Sequence, residues 1–360
     1  MFWKYGKSFI KVLLNNIFTK YVFFFIIVFG GIVKKYFGYI GFLIIILLFF
    51  IYFLFSNKLD LYSKDLFYMD TYINVKFYLD NRNKANSIME GIDNIYREYH
   101  ELTDRYNSYD GVNNVYYINH NDSKVEEIVL DSRLYDMIKY AYDFGKTNSL
   151  FDINMGGVID VWKKYRDKGE GVPSISELKK ANKRHDIVLL GDNKIKNNHP
   201  NIDLGGVSKG YTTQVVSDYL RSNGIRYFLI NAGGNVSCGD AYKKNYYKIG
   251  IQSPDDNGII GSLNGTNISV VTSGGYERNY IYDGHVYHHI IDPNTLFPGD
   301  KMKSVTVVSS DSGVADMLST TLFLMDVDDG LEFLKGYDAE AIFVLNDKSI
   351  VKSEGFSKYE

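Results

Sequence analysis

Apolar positions follow three regimes along the chain. Residues 36–55 (YFGYIGFLIIILLFFIYFLF) run for 20 residues without a charge and are apolar on every helical face. At about 1.5 Å per residue this crosses a hydrocarbon layer of roughly 30 Å, so the run predicts a transmembrane helix. Residues 21–33 form a shorter apolar stretch. It is compatible with a second crossing, an interfacial helix or a re-entrant segment. Beyond residue 57 the pattern becomes that of a globular domain, giving an expected division into an anchor, 1–57, and a domain, 58–360.

Within that domain, residues 66–79 alternate with period two and predict a strand. Ile88, Ile92, Ile95, Tyr99 and Leu102 recur at steps of three and four, so 83–106 predicts an amphipathic helix whose stripe packs in the core. The polar, Asn-rich stretch 106–121 reads as loop with a short strand. Asp131 suits the N-cap of a helix burying Leu134, Ile138 and Ala141. Residues 149–162 (SLFDINMGGVIDVW) read as a short strand, a Gly-Gly turn and a helix. Ser174 with Glu177 makes a capping box for a helix near 175–184. Residues 186–190 and 194–196 read as a hairpin.

Residues 201–210 (NIDLGGVSKG) read as a strand entering glycines, then a helix over 211–223 closed by Gly224. The strand 225–240 is interrupted by Gly233-Gly234, and paired strands fill 247–271. The end predicts strand 303–309, helices 312–325 and 328–336, and strands 339–345 and 348–352. Interspersed helices, strands and hairpins imply an α+β fold with a mixed or antiparallel sheet core.

Composition narrows the function. The net charge of −3 argues against a nucleic-acid binder driven by counterion release. One cysteine, Cys238, precludes an internal disulfide and a cysteine-based metal cluster. Lys4, Lys7, Lys11, Lys20, Lys34 and Lys35 precede the apolar run, whereas only Lys58 and Lys64, mixed with Asp60 and Asp65, follow it closely. The positive-inside rule therefore predicts a cell-membrane protein with a cytoplasmic N-terminus and an extracytoplasmic domain. A crossing at 21–33 would invert that topology. No small-residue cleavage site follows the run, so it predicts a retained anchor.

Four segments carry candidate chemistry. Asp203 to Gly210 brings glycines and Lys209 to a helix N-terminus, which suits a phosphate; a tight strand–helix turn explains it equally well. In NAGGN (231–235) the glycine pair suits a bulge or a close backbone approach. His288 and His289 end an apolar strand beside an Asp292-Pro293 turn, where an imidazole can move a proton near neutral pH. Asp316 and Thr320, four apart, share a helix face and form a hard-cation donor pair; a helix-dipole role for Asp316 is the plain alternative.

In this order, MDT (69–71), FDINMGG (151–157), IDLGGVSKGY (202–211), NAGGN, TSGGYERNY (272–280), YHHIIDPNT (287–295) and ADMLSTTLF (315–323) resemble the ApbE family of FAD:protein FMN transferases. The resemblance covers about residues 66–325. It implies transfer of FMN from FAD to a threonine of an acceptor protein, with Mg²⁺ as cofactor and AMP as leaving product. It implies Asp316 and Thr320 as metal ligands, with Ser319 and the carbonyl of Gly206 contributing. It implies Asp203, Lys209, Met69, Phe151 and Asp152 as FAD contacts, Ile290 and Ile291 beside the flavin or adenine, and His289 as a catalytic residue, either general base for the acceptor hydroxyl or the group that orients it.

Two positions depart from the family pattern: Asp70 and Leu296 stand where glycine is usual. Family acceptors carry a short Asp/Ser-Gly-Ala-Thr-like motif absent here, so the expected partner is another, membrane-associated protein. Two other readings share these residues: an FAD pyrophosphatase giving FMN and AMP, and a non-catalytic, membrane-tethered flavin-binding module.

Overall fold

In the computed structural model the chain divides into two units, Met1–Leu59 and Asp60–Glu360. The structure describes residues 41–50, 58–121, 124–183, 186–256 and 258–360. Residues 41–50 are helical and expose Phe42, Leu43, Leu47, Phe49 and Phe50. Among the described residues no helix is long and apolar enough to cross a membrane. Residues 36–40 and 51–55 of the expected span, and all of 21–33, lie outside the described residues.

The second unit is built on an eight-stranded sheet, here labelled β1 (Asp60–Tyr68), β2 (Thr71–Leu79), β3 (Phe228–Ala232), β4 (Asn235–Cys238), β5 (Ser269–Gly274), β6 (Met302–Ser309), β7 (Ala339–Leu345) and β8 (Ile350–Lys352). The strands lie in chain order, and every adjacent pair is antiparallel. This is the expected α+β fold, with the antiparallel form of the two sheets anticipated.

Three helices cover one face: α1 (Arg82–Thr103), α2 (Ser208–Ser222) and α3 (Ser312–Phe323). The stripe of α1 buries Ile88, Ile92 and Tyr96 against Ile73, Val75 and Phe77 of β2 and Phe228 and Ile230 of β3. Removing that apolar area from water is the main force holding helix to sheet. The opposite face, with Val270, Val308 and Ile342, is covered by the hairpin Tyr247–Gln252 and Ile259–Gly265 and by Phe356 of the C-terminal turn. Helix α3 is buried almost all round, so its polar residues are held inside the protein.

The structure corrects several expected elements. The single strand at 66–79 is two strands reversing at Met69 and Asp70, both left-handed with φ of 53° and 55°. That conformation is usual for Asn-Gly in a two-residue hairpin turn, so Met-Asp gave no turn signal. The loop at 106–121 contains a helix, Val115–His120, capped by the side chain of Asn114. Gly156 and Gly157 open the helix Gly156–Lys168 instead of forming a turn. A Cβ on Gly156 would lie 2.6 Å from the Asn201 carbonyl oxygen, so glycine here lets another segment cross the helix start. Residues 201–204 form no strand, and the following helix begins earlier than expected, at Ser208. Gly233-Gly234 is neither a bulge nor a mere interruption: it is the turn that joins β3 to β4. Residues 269–271 belong to the main sheet, not to the 247–265 hairpin.

Candidate active site

The site starts from a close crossing of α2 and α3. A Cβ on Gly210 would lie 2.3 Å from the Ser312 carbonyl oxygen and 2.5 Å from the Asp316 Cβ, so only glycine admits this approach. Helix α2 has no side-chain cap of its own. The Gly210 amide, one of its free first-turn N–H groups, instead donates to Asp316 Oδ2 at 2.7 Å. The Asn235 Nδ2 approaches the same oxygen at 3.5 Å.

Asp316 is 5% exposed. Burial pushes its carboxyl above the usual range, while Lys209, the Gly210 N–H and Asn235 favour the ionised form. Among the described residues its Oδ1 receives no hydrogen bond.

Three hydroxyls extend this centre. Ser319 Oγ donates to the Asp316 carbonyl at 2.9 Å and lies 2.8 Å from Ser273 Oγ. Ser273 Oγ is 3.4 Å from Thr320 Oγ1. Gly206 faces the same hydroxyl, since a Cβ there would lie 3.5 Å from Thr320 Oγ1. Gly206, Asp316, Ser319 and Thr320 thus lie in one neighbourhood, joined through Ser273 and the Asp316 backbone carbonyl. Ser273, at the end of β5, was missed; only its place in the TSGG segment hinted at a role.

Among the described residues no group of three or more His, Cys, Asp or Glu could hold a metal. The donors here are one carboxylate with a free oxygen, hydroxyls and backbone. That set fits a hard cation that keeps waters and binds ligand phosphates, which is the habit of Mg²⁺.

The two histidines separate cleanly. They end the hairpin Asn279–Tyr282 and His285–His288. His288 donates from Nε2 to the Gly299 carbonyl at 2.7 Å, accepts from the Ile290 N–H at 3.2 Å, and stacks edge-on against Phe323. Both of its nitrogens are committed to the fold. The Nδ1 of His289 is buried without a partner. Burial, then His288 and the charges of Arg278, Lys209 and Arg166, depress the His289 pKa to about 3. The ring is therefore neutral at pH 7 and sits among cations. Lys209 and Arg166 make no ion pair among the described residues, and Arg278 has only an exposed contact with Asp70 at 3.9 Å. Arg166 had no sequence signal beyond charge, and Arg278 only its place in the TSGGYERNY segment.

A stability prediction follows from His289. Its folded pKa lies below the value of 6.5 expected of an unperturbed imidazole. The unfolded chain therefore binds more protons, and stability is lost as pH falls from about 6.5 towards 3, by up to about 1.4 kcal/mol per pH unit. In chemical denaturation of the metal-free protein, His289→Gln should flatten the pH dependence between pH 6.5 and 4.5 by up to this slope. Parallel wild-type and variant curves would refute the assignment.

The other expected ligand contacts are distributed differently. Asp203 is committed to the protein. Its Oδ2 accepts from Arg105 Nη1 at 2.8 Å, and its Oδ1 accepts from the Gly205 N–H at 2.8 Å. Arg105, itself buried, also reaches Asp160, the Gly156 carbonyl and Asn201. This missed hub braces the Gly205-Gly206 turn. Phe151 packs edge-on against Phe144 and borders Gly206. Asp152 caps the turn Ile153–Met155 and, with Phe151, Lys146 and Asn294, lines a cleft of about 250 Å³. Met69 packs at the margin of the cluster containing Phe151 and Ile290. Ile291 belongs to a separate cluster with Trp162 and Leu296, so the two isoleucines are buried in different surroundings.

Leu296 adopts φ of 65° and is 5% exposed. Its N–H donates to the Asp292 carbonyl, and its own carbonyl accepts from Trp162 Nε1, both at 2.8 Å. The turn keeps the left-handed shape a glycine would give, and the buried side chain offsets the backbone strain. Leu296→Gly relieves about 1–2 kcal/mol of strain but removes a buried side chain worth about 2–5 kcal/mol. The net expected loss is about 1–3 kcal/mol in urea unfolding; a variant as stable as the parent would contradict this balance.

A model of the ApbE family matches residues 69–343. A Klebsiella pneumoniae protein named FAD:protein FMN transferase is 35% identical over 216 residues, covering 57% of this chain and 66% of the relative. A Treponema pallidum protein of the same name is 29% identical over 253 residues, covering 63% and 70%. The alignments thus span about two thirds of each relative. Among solved structures, the ApbE protein of Thermotoga maritima aligns with a TM-score of 0.74 at 28% identity, over 84% of this chain and 99% of that one. The flavin transferase ApbE of Vibrio cholerae aligns with a TM-score of 0.71 at 21% identity, over 84% and 100%, a likeness of fold.

Proposed function

The chain belongs to the ApbE family, and from that premise we propose that it is an FAD:protein FMN transferase, acting on a threonine or serine hydroxyl and releasing AMP. The observation that carries this reading is that Lys209 acts on both a buried carboxylate, open on one oxygen, and a neutral imidazole whose Nδ1 is buried without a partner. The relatives named FAD:protein FMN transferase support the substrate.

Asp316 and Thr320, with Ser319 and the Gly206 carbonyl as neighbours, would hold Mg²⁺. When bound, the ion supplies positive charge to the phosphoryl oxygens as charge builds there. Lys209, Arg278 and Arg166 would attract and orient the FAD pyrophosphate. His289 would take the proton of the acceptor hydroxyl. The oxygen then bonds to the phosphorus on the riboflavin side, and the bond to the AMP oxygen breaks. Asp203, through Arg105 and the Gly205 N–H, would keep the phosphate-facing turn in place. Phe151, Asp152 and Met69, with Ile290 and Ile291 behind them, would shape the flavin side.

The apolar run at 36–55 would anchor this domain outside the cell membrane, with extracytoplasmic redox proteins as the acceptor class. The test is covalent flavin fluorescence of membrane proteins separated by denaturing electrophoresis, from cells with and without this gene. The proposal expects fluorescent bands that vanish with the gene; an unchanged pattern would sink it.

A further inference from the structure

Asn235 opens β4 directly after the Gly233-Gly234 turn, whose φ angles are 58° and 91°. Its backbone pairs with Ala232 on one side and Val271 on the other, so the sheet fixes where it stands. Alternation along β4 places Asn235 and Ser237 on the face beneath α2. Ser237 is tied there to Ser217 and Ser269 at 2.9 and 3.1 Å. Asn235 itself is 1% exposed.

Its amide is only half used. The Nδ2 points at Asp316 Oδ2 from 3.5 Å, a long contact, and the Oδ1 is buried with no hydrogen-bond partner. A buried acceptor left alone costs about 1–3 kcal/mol. Here it lies beside a carboxylate whose other oxygen also lacks a partner among the described residues. The buried Asn235 Oδ1 calls for a donor, and the Oδ1 of the neighbouring Asp316 is open to a cation. Packing alone would be served by leucine, which has nearly the same volume and no buried polar atom.

We propose that Asn235 is a positioning residue of the cation site. Its Nδ2 holds Asp316 so that Oδ1 faces the cation, and its Oδ1 accepts a hydrogen bond from a water on that cation. The proposal rests on Asp316 being a metal ligand. Outer partners of this kind are worth about 10–100-fold in metal affinity.

The test uses the full chain in detergent, with Mn²⁺ as probe and ADP as an unreactive pyrophosphate, read by electron paramagnetic resonance. Asn235→Leu should weaken Mn²⁺ by at least about 10-fold and raise the Mg²⁺ concentration for half-maximal activity equally. The KM for FAD at saturating Mg²⁺ and the metal-free melting temperature should stay near those of the parent. Asn235→Ser, which keeps a short polar group and guards against a folding failure of the leucine variant, should weaken Mn²⁺ by less. Mn²⁺ affinity within twofold of the parent in either folded variant overturns the proposal. If Asp316→Asn also binds Mn²⁺ like the parent, the metal assignment itself fails, and the two failures are told apart.

Discussion

Asp316→Asn should lower the rate of FMN transfer by at least about 10³-fold at any Mg²⁺ concentration, with the fold intact. Asparagine can still accept from the Gly210 N–H, the bond that joins α2 to α3 at 2.7 Å. The variant therefore removes charge without opening the helix crossing. What it removes is the only carboxylate in the group of Asp316, Ser319, Thr320 and Ser273. Hydroxyls and carbonyls alone bind a hard cation weakly, since Mg²⁺ sites rest on one or two carboxylates with phosphates. Losing the ion forfeits the stabilisation of phosphoryl charge, typically the largest single contribution in such transfers. The check is initial rate against Mg²⁺, with circular dichroism to confirm folding. Transfer within tenfold of the parent would remove Asp316 from the metal site.

His289→Gln should cost about 10²–10⁴-fold in kcat, the usual span for a general base, with the KM for FAD nearly unchanged. The pH dependence carries a sharper signature. In the free enzyme the ring is held neutral by burial and by the nearby positive groups, with a pKa of about 3. Bound pyrophosphate sets negative charge against Lys209, Arg278 and Arg166 and raises the pKa of the ring. The acidic limb of kcat should therefore lie at higher pH than that of kcat/KM. Superimposed limbs, or a limb that survives in His289→Gln, would place the base elsewhere. His288→Gln should behave differently. It breaks the bonds to Gly299 and Ile290 and acts on stability before it acts on catalysis.

Much of this site is legible in the chain because its key residues are local. Asp316 and Thr320 are four apart on one helix, and the helix was recognisable from its apolar run. The strands and the helices opening after Asp131 and Ser174 were marked by caps and periodicity, which depend on near neighbours.

What escaped depends on distant partners. Asp203 and Arg105 are 98 positions apart, so nothing nearby showed that this carboxylate is committed to an arginine. The difference between His288 and His289 lies in what each ring touches after folding. Asn235 gained meaning only when the sheet placed it against Asp316. The turn at Met69-Asp70 and the left-handed Leu296 were hidden because residue types unusual for those conformations occupy them, held by pairing on one side and burial on the other. Gly156 looked like turn glycine because a crossing segment leaves no trace in the local pattern.

Transfer of FMN to a protein hydroxyl leaves a covalent label that mass spectrometry reads. The purified full chain is incubated with FAD, Mg²⁺ and an acceptor protein bearing a Ser-Gly-Ala-Thr segment, beside the same acceptor with its threonine changed to valine. The threonine acceptor alone should gain the mass of FMN less one water, with one AMP released per label. An unmodified acceptor, with FAD either split to free FMN and AMP or left intact, would contradict such transfer.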